Sequence, residues 1–372
     1  MAGYSELSLG SKESMKKAFR YLLSASVGAG TSKIVLTEKE WFYCFEEAKK
    51  QSLAGVLFPT VKDNLVDESG KRIEPLFSEW LGFLVQTDCL NKDLDGKAAM
   101  LSRIFQSWGY QSCILKGQGV ARLYPEPSFR QSGDIDIWVL GKQEDIVQCL
   151  RDQFIGIKNI DYVHSGITIF NDTLVEVHFR PSWMYNPFAN RKLQRFFKDH
   201  AEGQFGHIDE KLGFAYPTIA FNLVYSLIHI NRHIFEEGIG LRQILDYYYI
   251  LKHSSKQERE DAFNTLKSLS LKKFTGAIMY VLQDVFALGE DLLLCAPDRK
   301  EGAFLLEEIM RGGNFGQYDD RNKWYDVNQR LKRSLFNAKR NMRYLIHYPS
   351  EVLWIPAWKI WHWCWRKWKG YL

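Results

Sequence analysis

The sequence predicts an α+β fold: a small sheet flanked by helices, set between N- and C-terminal helical regions. Three observations predict it. The run Ser132-Gly133-Asp134-Ile135-Asp136-Ile137-Trp138-Val139-Leu140 alternates carboxylates with apolar residues at the two-residue period of a strand. Gly166 to Phe170 and Leu174 to Phe179 read as a hairpin joined through Asn171-Asp172-Thr173. On either side, apolar residues recur at helical spacing, up to Arg103 and again from Tyr216 onwards.

Taken in order, Lys12 to Val27 reads as a helix. Thr37 is an N-cap for Glu38 to Gln51, with Glu40 as its capping-box partner. Pro75 to Arg103 carries a long apolar pattern with few breakers, one or two packed helices. Ser112 to Leu115 is a short buried strand, followed by Lys116-Gly117-Gln118-Gly119 and a short helix through Leu123. Tyr124-Pro125-Glu126-Pro127 breaks the chain before the Asp-bearing strand, and Gln143 to Phe154 is again helical. This divides the chain into an N-terminal helical region (1–95), a sheet-bearing core (96–212) and a C-terminal helical region (213–372).

Bulk properties narrow the class. A chain of 372 residues is long enough for two or three domains, and 46% hydrophobic with 25% charged residues is ordinary for a globular protein. No stretch of about 18 uncharged apolar residues occurs, which argues against a transmembrane helix, and the polar start carries no secretory signal. The six cysteines are dispersed and form no CxxC pair. That pattern fits a reducing compartment and offers neither a zinc site nor a disulfide framework. The reading is a cytoplasmic protein.

The candidate chemistry lies on the strands. Asp134 and Asp136 share one face of theirs, while Ile135 and Ile137 pack the other way. Asp resists burial and has poor strand propensity, so the pair calls for a compensating cation or a solvated mouth. A hard divalent ion bound by oxygen supplies that compensation. Glu176 stands on the following strand beside His178, opposite in face to Val175 and Val177, and is the third carboxylate such a site needs.

The blocks Ile114-Leu115-Lys116-Gly117, Arg130-x-Ser132-x-Asp134-x-Asp136, Val175-Glu176-Val177-His178, His229-x-x-x-His233 and Leu241-Arg242-x-x-Leu245-Asp246 together resemble the polymerase-β-like nucleotidyltransferase superfamily. More narrowly, they resemble the bacterial uncharacterised nucleotidyltransferase family, which is similar to the nucleotidyltransferase toxins of abortive-infection systems. The resemblance covers about residues 112 to 250. It implies a polymerase-β-like nucleotidyltransferase core, a small mixed sheet with flanking helices. It also implies a metal-dependent enzyme that moves a nucleoside monophosphate from an NTP to an acceptor: a protein, an RNA end, a small molecule or a sugar.

In that reading Asp134, Asp136 and Glu176 hold Mg²⁺ or Mn²⁺, and Glu176 alternatively acts as the base for the acceptor proton. Lys116, Gly117, Arg130 and Ser132 serve the phosphates, with Arg130 suited to a bidentate contact and Ser132 equally a turn former before Gly133. Relatives carry Gly-Ser or Lys-Gly-Gly where this chain has Gln118, so the phosphate-binding hydroxyl is missing; backbone amides at a helix start remain. His178, His229, His233, Arg242 and Asp246 either line the cleft or form a buried polar network. His229 and His233 lie one turn apart, but Ile230, Asn231 and Arg232 between them make no HExxH motif.

The C-terminal end stands apart in charge. Residues 321–372 hold twelve Lys and Arg against two Asp and Glu, and the first 320 residues are net acidic. Trp354, Trp358, Trp361, Trp365 and Trp368 form a helical stripe beside Lys359, Arg366, Lys367 and Lys369. Three roles fit residues 350–372: peripheral contact with a membrane, docking on a partner, or closing the protein's own core. The rival to an enzyme is a catalytically degenerate binding module that engages nucleic acid or membrane through this basic region. Glu176 turned away from the two aspartates would favour that module.

Overall fold

The computed structural model describes residues 9–29, 33–153, 156–319, 321 and 338–371. The chain opens with four helices: α1 (Leu9–Ser26), α2 (Glu38–Lys50), α3 (Ala54–Val61) and α4 (Glu74–Ser107). Helix α2 starts as its sequence predicts, with the Thr37 side chain accepting from the Glu40 N–H and Glu40 reaching back to Thr37. Helix α4 is a single 34-residue helix, because Pro75 sits in its first turn, where a missing N–H costs nothing.

The sheet follows: β1 (Ser112–Leu115), β2 (Ile135–Val139), β3 (Gly156–Lys158), β4 (His164–Thr168), β5 (Val175–His178), β6 (Ile208–Asp209) and β7 (Phe214–Ala215), in spatial order β3-β4-β5-β2-β1-β7-β6. It is mixed: β2 pairs antiparallel with β1 and parallel with β5. Helices α5 (Gly117–Ala121) and α6 (Gln143–Asp152) connect strands, and α7 (Pro187–Phe205) leads to the last edge. The C-terminal region comprises α8 (Ile219–Glu236), α9 (Leu241–Lys252), α10 (Lys256–Ser268), α11 (Lys272–Phe286), α12 (Arg299–Gly312), α13 (Pro349–Val352) and α14 (Ile355–Trp368). This is a polymerase-β-like nucleotidyltransferase core with helical regions on both sides.

Strand alternation assigns the two faces of the sheet. Ile114, Ile135, Ile137, Val139, Val175 and Val177 pack against Ala98, Leu101 and Phe105 of α4 and Ile146 and Leu150 of α6. Cys113, Leu115 and Trp138 face the other way, into a core shared with the N-terminal helices and with α8, α9 and α11. Asp136 and Glu176 belong to this second face. The helical region therefore roofs the carboxylates while the α4/α6 side supports the strands from behind.

Candidate functional site

The parallel pairing of β2 and β5 places Asp136 directly beside Glu176, and Asp134 sits just before β2 begins. The ligand oxygens of Asp134, Asp136 and Glu176 lie within 4.8 Å of one another. Like charges on neighbouring strands repel, so the cluster stands only with compensation. Lys116 Nζ lies 2.7 Å from Asp136 Oδ1, and His178 Nε2 reaches the same oxygen at 2.7 Å. Lys116 occupies φ +47°, ψ −138°, a conformation that costs a non-glycine residue energy. Gly117 follows at positive φ, and this tight reversal out of β1 carries the lysine to the carboxylates.

Electrostatics separate the three acids. Burial and the neighbouring Asp136 push the Asp134 carboxyl up. Burial acts upward on Asp136 too, but Lys116 and His178 outweigh it and hold that carboxyl below its ordinary value. Against burial, the adjacent imidazoles of His164 and His178 hold Glu176 well below the usual carboxylate range. An oxygen-rich set of three acids, two kept ionised, fits a hard divalent ion.

These groups open onto a cavity of about 540 Å³. Lys116, Gly117, Arg130, Ser132, Asp134, Asp136 and Glu176 line it together with His229, His233, Arg242 and Asp246. His178 does not belong to the lining. It is only 1% exposed and sits behind the carboxylates, its Nδ1–H donated to the Arg180 carbonyl at 3.2 Å. The rings of His229 and His233 pack edge to face at 4.2 Å. Burial and the cations around them, Lys116 for both, hold the two imidazoles well below their ordinary value.

Arg130 corrects its expected role as a bidentate phosphate ligand. Its guanidinium is 4% exposed and gives Nε and Nη2 to the two oxygens of Asp246, each at 2.7 Å, and Nη1 to Ser132 Oγ at 2.8 Å. Tyr124 Oη donates to the same Asp246 at 2.7 Å. The fork is therefore spent on fastening the strand entry to α9, and Ser132 is held as its acceptor. Among the described residues Arg242 is better placed for that role: it donates to the Gln131 carbonyl, while its Nε is buried without a hydrogen-bond partner.

Gln118 departs from the family pattern for a structural reason. Its side chain is buried and donates to Asn91 of α4 at 3.1 Å. Asn91 in turn donates to the Ser128 and Arg130 carbonyls, ordering the segment before β2. Helix α5 has only five residues, so its dipole is a weak substitute for the missing hydroxyl.

Several lining residues escaped sequence reasoning: Asp161, His164, Arg232, Glu236, Phe315, Trp358 and His362. His164 carries the most chemistry, with Nδ1 3.0 Å from Glu176 Oε2. The alternation His164-x-Gly166 on the strand preceding Glu176 was the available signal.

Part of the C-terminal stripe packs inward, while its Trp361 and Trp368 stay exposed. Trp358 stacks on Trp183 at 3.8 Å, His362 accepts from the Tyr162 N–H, and Trp365 packs on Tyr162 and Tyr371. Glu351, at the base of the helix, accepts from the Tyr185 and Asn186 N–H groups. Leu353, Ile360, Trp363 and Trp368 lie on the exposed side. Among the described residues no helix is long and apolar enough to cross a membrane.

The family model described as uncharacterised nucleotidyltransferase matches residues 37–287, from the N-cap of α2 to just past α11. The tail that contributes Trp358 and His362 lies beyond the matched segment. No curated protein matches the chain. By this match, across well over half its length, the chain belongs to the uncharacterised nucleotidyltransferase family.

Proposed function

We propose that this protein transfers a nucleoside monophosphate from an NTP to an acceptor hydroxyl in the cavity above β2 and β5. The observation that carries the reading is the convergence of Asp134, Asp136 and Glu176 within 4.8 Å, on the wall of a 540 Å³ cavity beside Lys116. Glu176 points into the cluster, which favours an enzyme over a degenerate binding module.

The three carboxylates would hold Mg²⁺ or Mn²⁺, which when bound supplies Lewis-acid stabilisation of phosphoryl oxygens and a lowered acceptor pKa. Lys116 and Arg242, both lining the cavity, neutralise the triphosphate and pyrophosphate charge, the role that Arg130 cannot take while bound to Asp246. Glu176 is kept ionised by two histidines, so it is a weak base and serves better as a cation ligand than as the acceptor of a proton. Trp183 and Trp358, stacked on each other, add apolar surface to the same cavity.

The test is incubation of the purified chain with each α-labelled NTP, Mg²⁺ and cell lysate, followed by location of the label. Covalent label on a protein, RNA, sugar or small molecule supports the reading and identifies the acceptor. Failure to transfer label from any NTP, with Mn²⁺ as well as Mg²⁺, contradicts it.

A further inference from the structure

Strands β4 and β5 pair antiparallel with His164 opposite His178 and Gly166 opposite Glu176. Directly opposed residues share a face, and Gly166 has no side chain, so the His164 ring can lean over Glu176. The two imidazoles meet edge to face at 5.1 Å. The Nδ1 of His164, the Nε2 of His178 and a Glu176 oxygen form a second group of donors within 4.8 Å of one another.

The hydrogen bonds decide which nitrogens carry hydrogen. His178 Nδ1 faces the Arg180 carbonyl, which only accepts, so that nitrogen donates, and Nε2 carries the second hydrogen, toward Asp136, until an ion takes its place. That Nε2 points at two carboxylate oxygens, Asp136 Oδ1 at 2.7 Å and Glu176 Oε2 at 3.6 Å. His164 Nε2 lies 3.3 Å from Asp161 Oδ2, and Asp161 is itself fixed by the Val163 and His164 N–H groups. His164 Nδ1 is then left buried without a hydrogen-bond partner and aimed at Glu176. Each ring thus turns one nitrogen to an outer oxygen and the other toward Glu176. A histidine that binds a metal shows this arrangement, the outer hydrogen bond setting the tautomer and orientation.

We infer that His164, Glu176 and His178 form a second cation site of mixed nitrogen and oxygen donors, selective for a divalent transition ion such as Mn²⁺ over Mg²⁺. Imidazole suits Mn²⁺, Fe²⁺, Co²⁺ and Zn²⁺, whereas Mg²⁺ keeps to oxygen. The site shares Glu176 with the carboxylate cluster of the proposed transferase but goes beyond that reading, because ion binding is measured without turnover.

The experiment uses the full chain, stripped with a chelator and loaded with Mn²⁺ alone, and reads ¹⁴N couplings to the bound ion by pulsed electron paramagnetic resonance. Imidazole couplings are expected in the wild type, retained in a tenfold excess of Mg²⁺ and in Asp134→Asn, and lost in His164→Ala. Asp161→Asn, which touches the ion only through His164, weakens Mn²⁺ binding roughly 10–100-fold. His164 is partly exposed, so its replacement tests the site without the risk of emptying a core position, as at His178. Bound Mn²⁺ without nitrogen coupling, coupling unchanged in His164→Ala, or its displacement by Mg²⁺ overturns the inference. Nitrogen coupling without label transfer would sink the transferase reading alone; transfer without nitrogen coupling would sink this one alone.

Discussion

Arg130 and Asp246 meet fork to fork, two N–H groups on two carboxylate oxygens at 2.7 Å each, across 116 residues of chain. Arg130 stands four residues before Asp134, and Asp246 lies on α9, so this one pair ties the carboxylate-bearing strand entry to the helical roof. Both side chains are largely withdrawn from water. Removing one partner of such a pair strands a buried charge, at a cost of about 3–5 kcal/mol. Asp246→Ala should lose roughly that in urea denaturation, whereas the apolar double replacement Arg130→Met/Asp246→Leu should be clearly less destabilised. Equal losses in the two would mean that geometry, and not the stranded charge, sets the cost.

Gly119 allows α5 to lie against β1. A Cβ there would sit 2.6 Å from the Ile114 carbonyl oxygen and 3.2 Å from the Tyr216 Cβ. Backbone cannot yield as a flexible side chain does, so Gly119→Ala should destabilise by about 1–3 kcal/mol. It should also displace Lys116, which begins the same turn, and raise the KM for NTP. A variant with unchanged stability and KM would contradict the packing described.

Glu351 seats the C-terminal tail, and its ionisation works against folding. The side chain is 3% exposed, and burial pushes its carboxyl up to about 7 even though it accepts two backbone N–H groups. The folded chain therefore binds more protons than the unfolded one between an ordinary carboxylate pKa and about 7. The stability this group contributes is complete below pH ~4.5 and is lost as pH rises through about 7. Glu351→Gln should flatten that fall and raise Tm at pH 8 relative to wild type. Parallel Tm–pH curves for the two proteins would refute the assignment.

Where a local pattern determines the structure, the sequence was legible. The capping box of α2, the alternation of β2 and the Glu176 face of β5 follow from residues adjacent in the chain. Strands β3, β6 and β7 were not legible, since two or three residues carry no period and exist as strands only through their neighbours. The same distinction runs through the site. Asp134, Asp136 and Glu176 could be read because the strand period puts them on one face. Arg130 was misread because its partner lies on α9, and His164 was missed because its meaning comes from the β4–β5 register. The tryptophan stripe was visible as a stripe, but only Trp183 and Tyr162, nearly two hundred residues away, show which side of the helix is covered.

Asp134, Asp136 and Glu176 are proposed to serve transfer of a nucleoside monophosphate. Parallel reactions with α-labelled and γ-labelled NTP, in wild type and in Asp134→Ala of verified fold, test it most directly. Label is expected on the acceptor from the α position only, with γ-label released as pyrophosphate, and a loss of about a hundred- to a thousandfold in Asp134→Ala, in the range of one essential electrostatic group. Transfer of γ-label, or undiminished α-label transfer by Asp134→Ala, would contradict it.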